Sequence, residues 1–384
     1  MSYNYVIAGA GLSGAVFARK VAEKGFKVLV LERRNHIGGN LYDEKDENGV
    51  IIQKYGPHIF HTQIEEVNEF VKKFAKWKNF KLQCEVQMCG KSTPSPFNFK
   101  TIDQFYDENH AAKLKAALQS EFPGRETVTI VELLESRIEI ISDYAKMLFE
   151  NDYSLYTAKQ WGMKPSDIDV SVLKRVPVRL DYKSMYFTDK YEYMPEGGFT
   201  SFVSNLLNHP NITIRINEDA LKYIKLSRNK IEFVNLDIVD DCKFVYTGAL
   251  DELFEYRFGE LPYRSLRFEY KTISKDSFQE APVVAYPQEP GYTRVTEYKK
   301  LPIQDIKGVT TVAYEYPLRY SAKSESDPYY PIPSTESKKQ YAAYKELADQ
   351  VNNLILCGRL ADYKYYNMDL AIKAVLSLFN TNNI

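Results

Sequence analysis

Cysteine is scarce in this chain of 384 residues: Cys84, Cys89, Cys242 and Cys357 are all there is. Four are too few for a disulfide scaffold, so buried, reduced thiols are expected. Five histidines and no Cys-x-x-Cys give no metal-ligand spacing, and no metal is expected. An excess of one charge is missing too, since 50 Lys+Arg against 51 Asp+Glu leave a formal charge of -1. Without a basic tract, nucleic acid and anionic membrane surfaces are not expected partners. No apolar run reaches the ~18 residues of a membrane span, so membrane insertion is not expected. The opening Met1-Ser2-Tyr3-Asn4-Tyr5-Val6-Ile7 has no basic start, no long apolar stretch and no small-residue cleavage site. A soluble protein of a reducing compartment, the cytoplasm, is the reading.

What is present in excess is tyrosine, 30 residues of it. A tyrosine offers an apolar face and a hydroxyl at modest entropic cost. Composition leaves open whether these rings fill a core or line a cleft that binds a sugar or a base. With hydrophobic residues at 44%, the chain is expected to fold. Its length suggests two or three domains at about 150 residues each.

Residues 5–8 form an apolar run, followed by glycines and then a helical pattern of Val16, Phe17, Val21 and Ala22 before Gly25. Val28 to Leu31 is a second apolar strand, ending at Glu32, which completes a β-α-β unit. Ile64, Val67, Phe70, Val71, Phe74 and Trp77 share one face and predict an amphipathic helix over 64–80. Residues 101–162 read as helices divided at Pro123-Gly124. After Pro177, short alternating runs around 212–216, 231–238, 243–247, 265–273, 282–286 and 309–315 predict strands, many antiparallel. Residues 337–350 return to helix, Leu354 to Cys357 is a short strand, and Asp369 to Phe379 is a final helix. The polar stretch Ser321 to Asp327 reads as a loop. The expected fold class is α/β: a discontinuous Rossmann-like domain with an inserted helical bundle and an antiparallel β-sheet domain. Its expected pieces are 1–80, 200–248 and 337–384 for the Rossmann-like domain and 100–175 for the helical domain. The sheet domain takes 81–99, 180–199 and 249–336.

Gly9-Ala10-Gly11-Leu12-Ser13-Gly14 is a Gly-x-Gly-x-x-Gly placed after a strand and opening a helix, the context that gives it meaning. Gly9 permits the tight turn, Gly11 lets the backbone approach a pyrophosphate, and Gly14 lets helix and strand pack closely. Leu12 and Ser13 stand at the helix N-terminus, whose N–H groups face the phosphates. Glu32, at the end of the second strand, is placed to accept from ribose hydroxyls. The fingerprint serves NAD and FAD alike, and two features favour FAD. Arg33 and Arg34 lead to Gly38-Gly39-Asn40, whose backbone N–H groups add to a diphosphate site. At the far end, Gly358-Arg359 is followed by a helix beginning near Met368, whose N-terminus would stabilise anionic charge on a reduced flavin.

Six segments then occur in order: Tyr55-Gly56-Pro57-His58-Ile59-Phe60-His61-Thr62, Lys159-Gln160-Trp161-Gly162, Lys174-Arg175-Val176-Pro177-Val178-Arg179, Tyr292-Thr293-Arg294, Pro328-Tyr329-Tyr330-Pro331, and Gly358-Arg359-Leu360 through Tyr365. With the glycine fingerprint they resemble the UDP-galactopyranose mutase family, from Tyr5 to about Ala374. The resemblance implies an FAD enzyme, active when reduced, that interconverts the pyranose and furanose forms of a nucleotide-linked sugar. It implies attack of reduced flavin N5 on the anomeric carbon, release of the nucleoside diphosphate, ring opening and reclosure. Arg175 and Arg294 match the two essential arginines, which would hold the leaving diphosphate. Arg175 falls in a mobile lid over 163–179 that would exclude water. Tyr156 and Trp161 match residues near the nucleotide. Tyr186, Tyr330 and Tyr365 match tyrosines around the diphosphate. His58, Ile59 and His61 match the flavin edge. An external reductant such as NAD(P)H, a homodimer and a role in cell-surface polysaccharide synthesis, O antigen among them, follow from the resemblance alone.

Departures from the family pattern cluster where a base and a sugar would sit. Asn367 stands where an acid is usual, Asp152-Tyr153 where an aromatic or aliphatic pair is usual, Ser154-Leu155 before Tyr156-Thr157, and Leu82-Gln83 where Asn-Arg lines a sugar pocket. Val284 or Ala285 replaces an Asn. Loss of Asn and gain of Leu would suit a deoxygenated sugar, since an unpaired buried amide is costly. UDP-galactopyranose is the first reading and dTDP-fucopyranose, a 6-deoxy sugar, the alternative. Outside this chemistry, a flavin oxidase or dehydrogenase shares the fingerprint, and a non-catalytic sensor is a third reading that Asn367 favours.

Overall fold

The computed structural model describes residues 2–162, 176–324, 326–332 and 334–380, with the side chain of Trp161 excepted. Its centre is a five-stranded sheet in the order Ile212–Ile216, Val28–Glu32, Tyr3–Ala8, Ile238–Tyr246, Leu354–Leu356. Every pairing in it is parallel. Parallel strands are covered on both faces and therefore read as continuous apolar runs, which is why Val28–Glu32 is buried at all five positions. The helix Leu12–Glu23 buries Val16, Phe17 and Val21 between this sheet and the helices Gly198–Leu207 and Met368–Asn380. Each such side chain contributes about 1.5–3 kcal/mol of apolar burial. Packing of helix against helix fixes where the glycine turn points.

A second sheet of seven strands runs in the order Tyr330–Pro331, Tyr263–Ile273, Thr310–Arg319, Arg294–Glu297, Val283–Ala285, Cys84–Met88, Lys91–Ser95. It is antiparallel except where Val283–Ala285 runs parallel to Cys84–Met88. Parallel neighbours require a crossover connection, and the helical insertion lies between these two strands in the chain. The insertion comprises helices Phe99–Phe105, Glu108–Glu121, Ile130–Leu134, Glu139–Leu148 and Ser154–Trp161. Asn98, Asp107 and Thr129 cap three of them, Thr129 in a reciprocal box with Glu132. Between Leu148 and Ser154 the helix widens into a π-turn, Phe149–Tyr153.

Three expectations are corrected. The helix over 64–80 stops at Lys72, and Trp77–Asn79 is a strand. The Trp77 indole donates to the Val71 carbonyl at 3.1 Å, satisfying a helix-end acceptor while the chain turns away. Tyr191–Pro195, expected in the antiparallel sheet domain, instead lies between Phe60–Thr62 and Trp77–Asn79 in a separate three-stranded sheet. Finally, Cys84, Cys242 and Cys357 are buried, but Cys89 occupies a positive-φ turn and is exposed. Among the described residues no helix is long and apolar enough to cross a membrane.

Candidate active site

A cavity of about 1140 Å³ runs from the glycine turn, past the seven-stranded sheet, to the helical insertion. Ordinary ligand pockets hold ~300–1,000 Å³, so this one has room for a dinucleotide and a second ligand.

The first end is built by the parallel sheet. Gly9 has a φ of +103°, where other residues are strained. A Cβ there would collide with Thr247 Oγ1, whose hydroxyl donates to the Ala8 carbonyl at 2.6 Å. A Cβ on Gly14 would drive into the Gly9 carbonyl. A Cβ on Gly39 would lie 3.0 Å from Gly11 Cα, and Gly38 N–H donates to the Ala10 carbonyl at 2.9 Å. The two glycine clusters thus form one cradle that side chains would fill. The helix Leu12–Glu23 opens there with neither a side-chain cap nor an acid in its first turn. Its first N–H groups, at Leu12 and Ser13, are left for an anion. Glu32 Oε2 accepts from Ala10 N–H at 2.8 Å and Oε1 from Arg34 N–H at 2.9 Å. A carboxylate has lone pairs to spare for ribose hydroxyls. Arg33 lines the cavity with its fork held by Glu252, two bonds of 2.8 Å. Asn40 accepts from Arg34 Nη1 at 3.1 Å. This cradle fits the diphosphate and ribose of FAD.

The middle of the cavity holds the histidines. Gln53 clamps the His58 backbone, accepting its N–H at 2.5 Å and donating to its carbonyl at 3.2 Å. His58 Nδ1 faces the Gly56 carbonyl at 2.8 Å, which places its proton there. Burial, with Arg359 and then Arg294 nearby, lowers the His58 pKa to about 4, so the ring is neutral. Ile59 follows, buried against the cavity. His61 is stacked on Phe187 at 3.8 Å with Nδ1 3.0 Å from Asp189, leaving Nε2 for a ligand. Met368 starts the last helix on the same wall.

Beyond lies an arginine and tyrosine chamber. Arg294, on a central strand, is held by Glu315. Arg359 lies over the Tyr330 ring at 5.3 Å, and Tyr330 stacks on Tyr365 at 5.4 Å. Tyr156 and Tyr186 complete the wall toward the helical insertion. The tyrosine question resolves both ways, since Tyr144, Tyr298 and Tyr344 fill the core while these others line the cleft. Arg175 and residues 163–175 of the expected lid lie outside the described residues, as does the Trp161 side chain; Val178–Arg179, also expected in that lid, is instead a buried strand paired with Thr127–Val128.

Two lining residues were not singled out from sequence. Arg264 is only 7% exposed, donates from Nε to the Gln160 carbonyl at 3.0 Å and has no ion-pair partner among the described residues. Burial lowers its pKa. It belongs to no local motif, and only the sheet sets it opposite Tyr330 on the cavity wall. Asp152, seen only as a departure, lines the cavity, and burial raises its pKa to about 7. Of the other departures, Leu82, Tyr153, Ala285 and Asn367 also line it, whereas Gln83, Ser154, Leu155 and Val284 do not.

A dinucleotide cradle that continues into a cationic chamber defines a flavoprotein acting on an anionic second substrate. The chain belongs to the UDP-galactopyranose mutase family, whose profile matches residues 151–365; a Rossmann-like NAD(P)-binding profile matches 7–74. A UDP-galactopyranose mutase of Mycoplasma pneumoniae is 35% identical over 98% of this chain and 95% of its own. A dTDP-fucopyranose mutase of Escherichia coli is 35% identical over 98% of each. The fold matches a crystal structure of reduced UDP-galactopyranose mutase with a TM-score of 0.69 at 16% identity, covering 100% of this chain and 97% of that one. The protein is an isomerase, a nucleotide-sugar mutase with FAD as its cofactor.

Proposed function

We propose that this enzyme interconverts the pyranose and furanose forms of UDP-galactose for cell-surface polysaccharide synthesis. The observation that carries the reading is that Arg294, held by Glu315, and Arg264, which has no ion-pair partner among the described residues, both line the cavity that begins at the glycine cradle. A diphosphate gains negative charge as the anomeric bond breaks, and guanidinium forks stabilise it. Reduced FAD, when bound, supplies the nucleophile for the anomeric carbon. Tyr330 and Tyr365 donate hydroxyls to phosphate oxygens, and Arg175 joins Arg294 on the diphosphate. His61 and neutral His58 position the flavin edge. NAD(P)H as reductant, a homodimer and a cytoplasmic location complete the proposal.

A second reading, dTDP-fucopyranose, is favoured by the apolar side chains of Leu82 and Ala285, both of which line the cavity. An apolar wall suits a sugar that lacks a hydroxyl. The test is chromatography of products after incubating dithionite-reduced protein with each substrate, oxidised protein serving as control. Conversion of the uridine substrate supports the first reading, and conversion of the thymidine substrate alone supports the second. Absence of conversion with both, despite bound FAD, overturns the two.

A further inference from the structure

Tyr363 has a φ of +48°, a left-handed backbone that a bulky residue rarely adopts. Among the described residues it is the one non-glycine with positive φ whose side chain is buried. Strain of this kind persists where the surroundings over-determine it, and it clusters at functional sites. The surroundings of Tyr363 do so. Its hydroxyl donates to the Pro262 carbonyl at 2.7 Å and to the Ile332 carbonyl at 3.2 Å. Its ring stacks on Tyr341 at 5.4 Å and meets Tyr263 edge-on at 5.3 Å.

The two anchors decide what Tyr363 holds. Pro262 lies two residues before Arg264, and Ile332 two after Tyr330. Tyr363 itself lies four residues after Arg359 and two before Tyr365, in a segment closed by the Asp362 N–H on the Gly358 carbonyl (2.9 Å) and the Lys364 N–H on the Arg359 carbonyl (3.1 Å). That segment starts against the cradle, where a Cβ on Gly358 would lie 3.1 Å from Ser13 Oγ. It ends in the chamber, where Arg359 lies over Tyr330 and Tyr330 stacks on Tyr365. Arg264, Tyr330, Arg359 and Tyr365 all line the cavity, and Tyr363 is buried behind them. We propose that Tyr363 is a positioning residue, whose hydroxyl pins the segment 358–365 to the ends of the two strands that carry Arg264 and Tyr330. Those four side chains are thereby set at one spacing around the diphosphate. The inference rests on the nucleotide-sugar reading above.

Removal of one oxygen tests this. Y363F keeps the ring and its packing. The Pro262 carbonyl still accepts from the Ile332 N–H at 3.0 Å, and the Ile332 carbonyl from the Ser337 hydroxyl at 2.8 Å. Neither carbonyl is orphaned, so the variant should fold. Y344F is the control: Tyr344 is fully buried off the cavity wall, and its hydroxyl donates to the Gly259 carbonyl at 2.7 Å. The experiment measures UDP binding to the oxidised, FAD-loaded proteins by titration calorimetry, well below the Tm of each, with flavin absorbance alongside. Y363F is expected to keep its flavin and to bind UDP at least about fivefold more weakly, since small misplacements of positioning groups carry losses of this size or larger. Y344F should lose thermal stability and bind UDP as wild type does. Wild-type affinity in Y363F overturns the proposal. Equal weakening in Y363F and Y344F shows a general loosening of the core and also overturns it. Loss of flavin from Y363F means that the segment serves the cradle and not the chamber, which overturns it too. A wild type that binds neither UDP nor dTDP defeats the nucleotide reading and this inference with it. A wild type that binds UDP, beside a Y363F that binds it equally well, defeats this inference alone.

Discussion

Arg294 presents Nε and Nη2 to a single oxygen of Glu315, Oε2, at 2.7 Å each. Glu315 is 1% exposed and its other oxygen accepts from the Thr293 hydroxyl at 3.3 Å. The carboxylate holds the guanidinium charged, well above its usual range, against the cost of burial. One edge of the fork is committed to the protein and the other is left for the cavity.

Replacing Arg294 by Ala should therefore do two separable things. Turnover should fall by more than about a hundredfold, the usual loss for one stabilising donor at a developing charge. Stability should also fall, by about 3–5 kcal/mol, because Glu315 is left buried and unpaired. The double variant R294A/E315Q should recover most of the stability and none of the activity. Retained FAD absorbance in both keeps the interpretation clean. Near-wild-type kcat in either variant would falsify the diphosphate role.

Gly14→Ala tests the cradle. Its Cβ meets the Gly9 carbonyl, a backbone atom that cannot swing aside. The helix must retreat from the strand, and FAD should be lost on purification, with the flavin spectrum as readout. Gly11→Val should have the same outcome by blocking the approach of Gly39. A fully yellow protein in either case would mean that the diphosphate does not sit at this turn.

Lys159 makes a prediction of another kind. Its ammonium donates to the carbonyls of Tyr286 and Glu289 at 2.6 Å and of Tyr292 at 2.7 Å. It thereby pins the helix carrying Tyr156 to the turn that leads into Arg294. K159M leaves three carbonyls short of a donor and should cost about 1–3 kcal/mol. Flavin content should hold, while kcat/KM falls at least about tenfold and Arg at this position restores part of it. Unchanged kinetics in K159M would show that the turn holds its shape unaided.

The parts of this site that were legible in the sequence are the local ones. Gly9 to Gly14 and Glu32 are read from consecutive residues, because a strand, a turn and a helix N-terminus are set by near neighbours. The overrun at Trp77 shows the limit. Apolar spacing favoured a longer helix, but pairing with Tyr193 to Pro195, over a hundred residues away, decided the backbone. Arg264 was illegible for the same reason, since its neighbours at the cavity are Gln160 and the strand Tyr330–Pro331. Asp152 was visible only as an oddity of the sequence until the fold set it on the cavity wall.

The two cavity-lining groups of shifted pKa oppose one another, and this gives the last prediction. Burial holds Asp152 protonated up to about pH 7, whereas an unfolded carboxyl ionises near ~3.9. Between those values the native state binds the extra proton, so Asp152 makes stability fall as pH rises. His58 is the reverse: it stays neutral in the native state down to about pH 4 but protonates near ~6.5 when unfolded. Over that window the unfolded state binds the extra proton, so His58 makes stability fall as pH falls. Each slope is at most about 1.4 kcal/mol per pH unit, reduced by whatever solvent reaches the group. Tyr153 and Tyr156 face Asp152 from its own helix and stay protonated throughout this range. The two slopes largely cancel between about pH 4 and 6.5, so the wild type conceals both. The Tm gain of D152N over wild type should grow from about pH 4 to 7 and then level off. H58Q should gain most at the acid end instead. A D152N gain that is the same at about pH 4.5 and 7.5 would show that the Asp152 carboxyl titrates normally in the folded protein.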